Sequence, residues 1–114
     1  MEHCNDFRYD LKVGQIAEKA VAEILENATV EVKRDLQWKN TGNVFIEYKS
    51  RGKKSGLAKS QADWWCFYLG SSVIFINTLD LKRKVTGYMG TSRDIVGGDN
   101  NTSKGVLLPV TELL

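Results

Sequence analysis

Two carboxylates and an ammonium stand within a short stretch of the chain: Asp35, then Glu47, with Lys49 two positions further on. Cleaving a phosphodiester with an in-line oxygen nucleophile requires that charge on the attacking and leaving oxygens be neutralised. A hard divalent cation held by one or two carboxylates does this. Asp35 and Glu47 are the candidate ligands, with Mg²⁺ as the expected ion and Mn²⁺ as a substitute. Lys49 would orient and polarise the attacking water or stabilise the developing negative charge. The backbone carbonyl of Tyr48, between Glu47 and Lys49, is a further oxygen donor.

Strands are needed to hold these groups. Residues 29–38 and 43–49 alternate well enough to be strands. Asn40-Thr41-Gly42 between them suits a three-residue hairpin loop with Gly42 in the left-handed conformation. That loop sets a register. Trp38 then opposes Val44 and Leu36 opposes Ile46 on an apolar face, while Asp35 meets Glu47 on the other, with Cβ atoms about 5 Å apart. Alternation places Lys49 on the face of Glu47. Lys33 falls opposite Lys49, a contact that twist or a bulge must relieve.

Ahead of the hairpin, Val13, Ala17, Ala20, Val21, Ile24 and Ala28 recur at helical spacing, which predicts a helix over residues 13–28. Glu18 and Glu23 fall at the two margins of its apolar stripe. After the hairpin, Arg51, Lys53, Lys54 and Lys59 make a Gly-interrupted basic loop. Ser60 followed by Asp63 and closed by Gly70 predicts a buried helix over residues 61–69. Its N-terminus, with Ser60 and Gln61, would then favour a phosphate. Residues 72–77 read as a core strand and residues 79–86 as a short basic helix or turn. Residues 87–105 read as a mobile loop, and residues 106–108 as an edge strand ending at Pro109. The expected architecture is α/β, a mixed sheet flanked by helices.

Length and composition suit one domain, residues 1–114, with a single modest core: 42% of residues are hydrophobic and 26% charged. The net charge is only +2, but residues 1–31 hold seven acids against three bases, whereas residues 32–60 hold eight bases against Asp35 and Glu47 alone. A basic middle around two isolated carboxylates suits a polyanion partner. Cys4 and Cys66 lack metal or disulfide spacing and read as idle thiols. No apolar run is long enough for a bilayer, so a soluble, cytoplasmic protein without a membrane partner is expected.

The helix, the Asp, the Glu-x-Lys of Glu47-Tyr48-Lys49, the second helix and the following strand resemble the PD-(D/E)xK nucleases over about residues 14–80. The run from Gly42 to Gly52 is similar to small bacteriophage-type and Holliday-junction-resolvase-like members. Arg34 stands where the motif has Pro. The resemblance implies a restriction-endonuclease-like core (helix, β-hairpin, helix, strand) and a metal-dependent endonuclease acting on DNA, branched or junction DNA included. It implies Glu18 as an additional acidic residue, a homodimer, and host-cell cytoplasm if the chain is phage-encoded. The alternatives are a non-catalytic nucleic-acid-binding protein that keeps the fold, and a protein-interaction adaptor.

Overall fold

The computed structural model describes the backbone from residue 3 to residue 114, and the side chains of residue 8 and of residues 11–114 other than 99. Cys4 therefore lies outside the described side chains. Helix α1 (His3–Glu26) leads into β1 (Val30–Arg34), the short helix α2 (Trp38–Thr41), β2 (Asn43–Ser50) and β3 (Lys53–Lys54). A 3₁₀ turn (Gly56–Ala58) precedes β4 (Trp64–Tyr68), β5 (Val73–Asn77), α3 (Thr78–Tyr88), β6 (Asp94–Gly97) and β7 (Ser103–Pro109). A last 3₁₀ turn, Val110–Leu113, closes the chain. Among the described residues no helix is long and apolar enough to cross a membrane.

These elements make a mixed α/β structure with two sheets. One has the order β1-β4-β5, with β1 parallel and β5 antiparallel to β4; the other is antiparallel, β3-β2-β7-β6. Their inner faces share one core. Val44, Ile46, Val106 and Leu108 come from the second sheet and Trp65, Phe67 and Ile76 from the first, joined by Leu57, Leu81, Val85 and Leu113. Burying each of the larger side chains contributes roughly 1.5–3 kcal/mol. Helix α3 packs across β4, β5 and β7 through Leu81 and Val85, one turn apart. It is started by Asn77, whose side chain accepts from the Leu79 N–H at 2.9 Å.

The β1–β2 hairpin is not formed. Strand β1 pairs with β4, and β2 pairs with β7 and β3. The cause is Asp35 itself: its Oδ1 accepts from the Gln37 N–H at 2.9 Å, a local bond that turns the chain out of the extended conformation. The chain then enters α2, which ends at Gly42 in the left-handed region, φ 74°. Gly42 thus has the predicted conformation in a different turn, and the register that opposed Asp35 to Glu47 does not exist.

The predicted helix over residues 61–69 is extended chain and then β4. Its start signal is spent elsewhere. Ser60 Oγ accepts from Trp65 Nε1 at 3.1 Å, and Asp63 Oδ2 accepts from the Thr29 N–H at 3.1 Å. Trp65 and Phe67 then alternate into the core with Cys66 between them, as aromatic-rich strands favour. The segment from 87 to 105 contains the end of α3, β6 and the start of β7, and β7 is an inner strand, although it does end at Pro109. The helix over 79–86 and the strand over 72–77 are present as α3 and β5.

Tyr48 donates to Asp94 Oδ1 at 2.6 Å, and the Gly90 N–H donates to Asp94 Oδ2 at 2.9 Å. The Asp94 side chain is 7% exposed. The Tyr48 hydroxyl, with the Gly90 N–H, holds the Asp94 carboxyl below its ordinary range. Burial, reinforced by Asp94, pushes the Tyr48 phenol up to about 12. A depressed carboxyl stabilises the fold above its unfolded pKa and loses that contribution as pH falls through the folded value. A raised phenol does so below about 10, its ordinary value, and loses it as pH rises toward about 12. Asp94→Asn should therefore flatten the acid limb of a stability-versus-pH curve measured by urea unfolding. An unchanged acid limb would show that the linkage lies in other carboxyls.

Candidate active site

Strand β2 alternates, with Val44 and Ile46 buried and Phe45 and Glu47 facing the other way. Two glycines let other backbone come close at Glu47. Gly105 is its cross-strand partner on β7, where a Cβ would stand 2.6 Å from both the Ile46 carbonyl oxygen and the Phe45 ring. Gly56, at φ +51°, lies against the Glu47 carbonyl oxygen so closely that a Cβ there would be 2.3 Å from it. Beside it, the Ser55 N–H donates to the Tyr48 carbonyl at 3.1 Å, which occupies one lone pair of the oxygen considered as a metal donor.

Glu47 lines an open cleft of about 680 Å³ between the two sheets. Glu31 and Lys33 from β1 form one wall, and Gly56, Lys59, Ser60 and Gln61 form the other. A smaller recess of about 180 Å³, with Lys33, Phe45 and Trp65, opens beside the same carboxylate. Among the described residues the Glu47 side chain makes no hydrogen bond or ion pair, so its charge is free for something outside the chain. Lys33 is held by its neighbours: its Nζ lies 5.4 Å from the Trp65 ring centroid and 3.8 Å from Glu31 Oε2. The ion pair is half-exposed and contributes little to stability.

Asp35 is outside this lining. Its Oδ2 accepts from the Phe45 N–H at 3.1 Å, so it fastens the end of β1 to β2 two residues before Glu47. Both its oxygens are engaged with backbone donors. Lys49 also leaves the expected face. Between Glu47 and Lys49 the β2–β7 register shifts, with Glu47 opposite Gly105 but Lys49 opposite Lys104. Adjacent residues of β7 point to opposite faces, so the bulge at Tyr48 separates the glutamate from the lysine. Lys49 instead stands in a row with Lys54 and Lys104 across three strands.

The remaining expected residues divide. Lys59, Ser60 and Gln61 belong to the cleft, but with no helix beginning there they offer side chains and not a helix dipole. Arg51 and Lys53 belong to the tight β2–β3 turn, where Arg51 and Gly52 have φ 51° and 79°. Glu18 borders a groove along α1 itself, with Ala17, Val21 and Leu25, and not the cleft of Glu47. The sequence reading missed Glu31 and Lys33. Their signal was the same alternation that selected Asp35, since Glu31, Lys33 and Asp35 occupy every second position.

Among the described residues no group of three or more His, Cys, Asp or Glu side chains is arranged to hold a metal. Two carboxylates, Glu31 and Glu47, line one cleft, which fits an ion that keeps most of its waters. Comparison with known protein families, curated proteins and solved structures returns no match to the chain.

Proposed function

We propose that the chain is a metal-dependent phosphodiester hydrolase acting on DNA, with its chemistry centred on Glu47. The reading rests above all on the unpaired Glu47 carboxylate in a cleft that also presents Lys33, Lys59, Ser60 and Gln61. The Glu-x-Lys run of residues 47–49 supports it by sequence resemblance alone, since the hairpin that would oppose Asp35 to Glu47 is not formed and Lys49 stands outside the cleft. Glu47, with Glu31, would hold Mg²⁺ or Mn²⁺, which supplies Lewis acidity at the scissile phosphate. Lys33, kept in place by Trp65 and Glu31, stabilises negative charge developing on the phosphoryl oxygens. Lys59, Ser60 and Gln61 bind the flanking backbone. Asp35 acts by fixing β1 against β2, and Lys49 binds phosphate at a distance from the reacting bond. A symmetric pair of chains would cut both strands.

The test is incubation with supercoiled, linear, single-stranded and four-way-junction DNA, and with RNA, in Mg²⁺, Mn²⁺ or EDTA. Cleavage that EDTA stops is expected. Lys33→Ala should lower its rate by about 10²-fold, the scale of one electrostatic contact in a transition state. Lys49→Ala should mainly weaken binding. Equal cleavage by wild type and Lys33→Ala would remove Lys33 from the chemistry, and no cleavage under any condition would overturn the reading.

A second reading, a nucleic-acid-binding protein without turnover, is favoured by the Lys54, Lys49, Lys104 row. Lys104 has Asp94 at 3.9 Å, but among the described residues Lys49 and Lys54 oppose each other with no ion-pair partner, a destabilising contact that a polyanion would relieve. It requires binding that weakens with salt and is indifferent to Mg²⁺.

A further inference from the structure

Two apolar surfaces lack a partner among the described residues, and they complement each other. The first is the stripe of α1. Between Leu11 and Glu26 no residue is buried. Ile16, Val21 and Leu25 are 60%, 53% and 68% exposed. At about 100° per residue these fall on one half of the helix with Val13, Ala17, Ala20 and Ile24. Glu18 and Glu23 border that half. Such a helix, 24 residues long and without a buried residue from Leu11 to Glu26, leaves its main source of stability unused over that stretch.

The second surface is the outer face of the β1-β4-β5 sheet. The register places Val32 beside Cys66 and Phe75, and Arg34 beside Tyr68 and Val73. Val32 and Val73 are 62% and 55% exposed. A three-stranded sheet apolar on both faces needs a layer on each, and on this one Cys66 at the centre is buried while Val32, Tyr68 and Val73 around it are exposed among the described residues. Arg34 is the one charge in these two rows, opposite in sign to the glutamates that border the helix stripe.

The chain's own helix is held away from this face. The Asn27 and Ala28 N–H groups donate to the Glu23 carbonyl at 3.0 and 3.2 Å, and the next residue, Thr29, is fastened to Asp63. The connection is thus pinned at both ends, and the described chain extends 60 Å along its longest axis. We infer that two copies of this chain exchange α1, each laying its Val13–Leu25 stripe on the Val32, Tyr68 and Val73 face of the other, with one of the two marginal glutamates toward Arg34. Reciprocal exchange closes as a twofold dimer in which every copy of both surfaces is covered. The inference gives the pairing expected of a double-strand cutter a surface, but it does not depend on the chemistry of Glu47.

The test uses the full chain without nucleic acid. Sedimentation equilibrium should find a dimer. Val73→Asp and Ile16→Asp, each placing a charge in the contact, should each weaken it at least about tenfold. Circular dichroism establishes that each variant keeps its fold, and Val32→Asp replaces Val73→Asp if that variant unfolds. In a Cys4→Ser, Cys66→Ala background, a chain with Val21→Cys mixed with one carrying Val73→Cys should oxidise to a covalent heterodimer. A monomeric wild type, a dimer indifferent to both charges, or an intrachain disulfide when one chain carries both cysteines would overturn the exchange. Any of these would leave the reading of Glu47 standing.

Discussion

Gly56→Ala should lower the melting temperature by about 10–20 °C, on the order of 3–5 kcal/mol for a chain of this size. Three costs add. The residue sits at φ +51°, where an L side chain costs roughly 1–2 kcal/mol. Its Cβ would stand 2.3 Å from the Glu47 carbonyl oxygen and 3.0 Å from its carbon, both backbone atoms of a strand paired on its other side with β7. Since β2 is fixed by the buried Val44 and Ile46, the 3₁₀ turn must lift and draw out part of Leu57, now 2% exposed. Gly52→Ala is the control. Gly52 has φ +79° but nothing within 4 Å of a Cβ, so it carries the conformational cost alone, about 1 kcal/mol. Thermal melts of the two variants would separate close approach from backbone conformation. Equal melting temperatures would show that the turn does not bear on β2.

Glu47→Gln should reduce metal-dependent cleavage by about 10³-fold or more, because it removes the charge but not the shape of the side chain proposed as the principal metal ligand. The substitution should leave stability nearly unchanged. Among the described residues the carboxylate has no hydrogen-bond or ion-pair partner to lose, in contrast to Asp35, which accepts from two backbone N–H groups. Binding to DNA in EDTA should persist or tighten, since one negative charge facing phosphates is gone. Single-turnover cleavage, a melt and a filter-binding curve on the same preparation read the three effects separately. Full cleavage activity in Glu47→Gln would end its assignment as a metal ligand. Asp35→Asn should instead disturb the β1–β2 connection, with activity and melting temperature falling together.

Several elements were legible because their cause is local. The apolar spacing over residues 13–28 marks the second half of α1, which runs from His3 to Glu26, and the helix-or-turn reading of residues 79–86 falls within α3. The apolar run of β5 and the stop at Pro109 likewise need no distant contact. The Trp64–Tyr68 segment failed because an apolar run of this length has no distinctive period. Its start signal was one that a distant residue, Thr29, could use equally well. The β1–β2 pairing failed for a related reason. Alternation says which way a side chain points but not which strand lies beside it, and Asp35 found a nearer donor in Gln37. The separation of Lys49 from Glu47 comes from one extra residue opposite β7, a partner more than fifty positions away.

For the candidate site the division is the same. The sequence alone determined that a glutamate would stand on the polar side of an alternating strand within a basic segment, since residue types and period two suffice for that. Tertiary structure alone decided its company. With β1 carried to β4 and β2 to β7, Glu47 faces Glu31 and Lys33 across a cleft, and Lys49 joins a row of lysines on the other face. The reason is physical: the buried contacts of Val44 and Ile46 with Val106 and Leu108 select the neighbour of β2, and the polar groups on its far side take whatever positions that choice leaves.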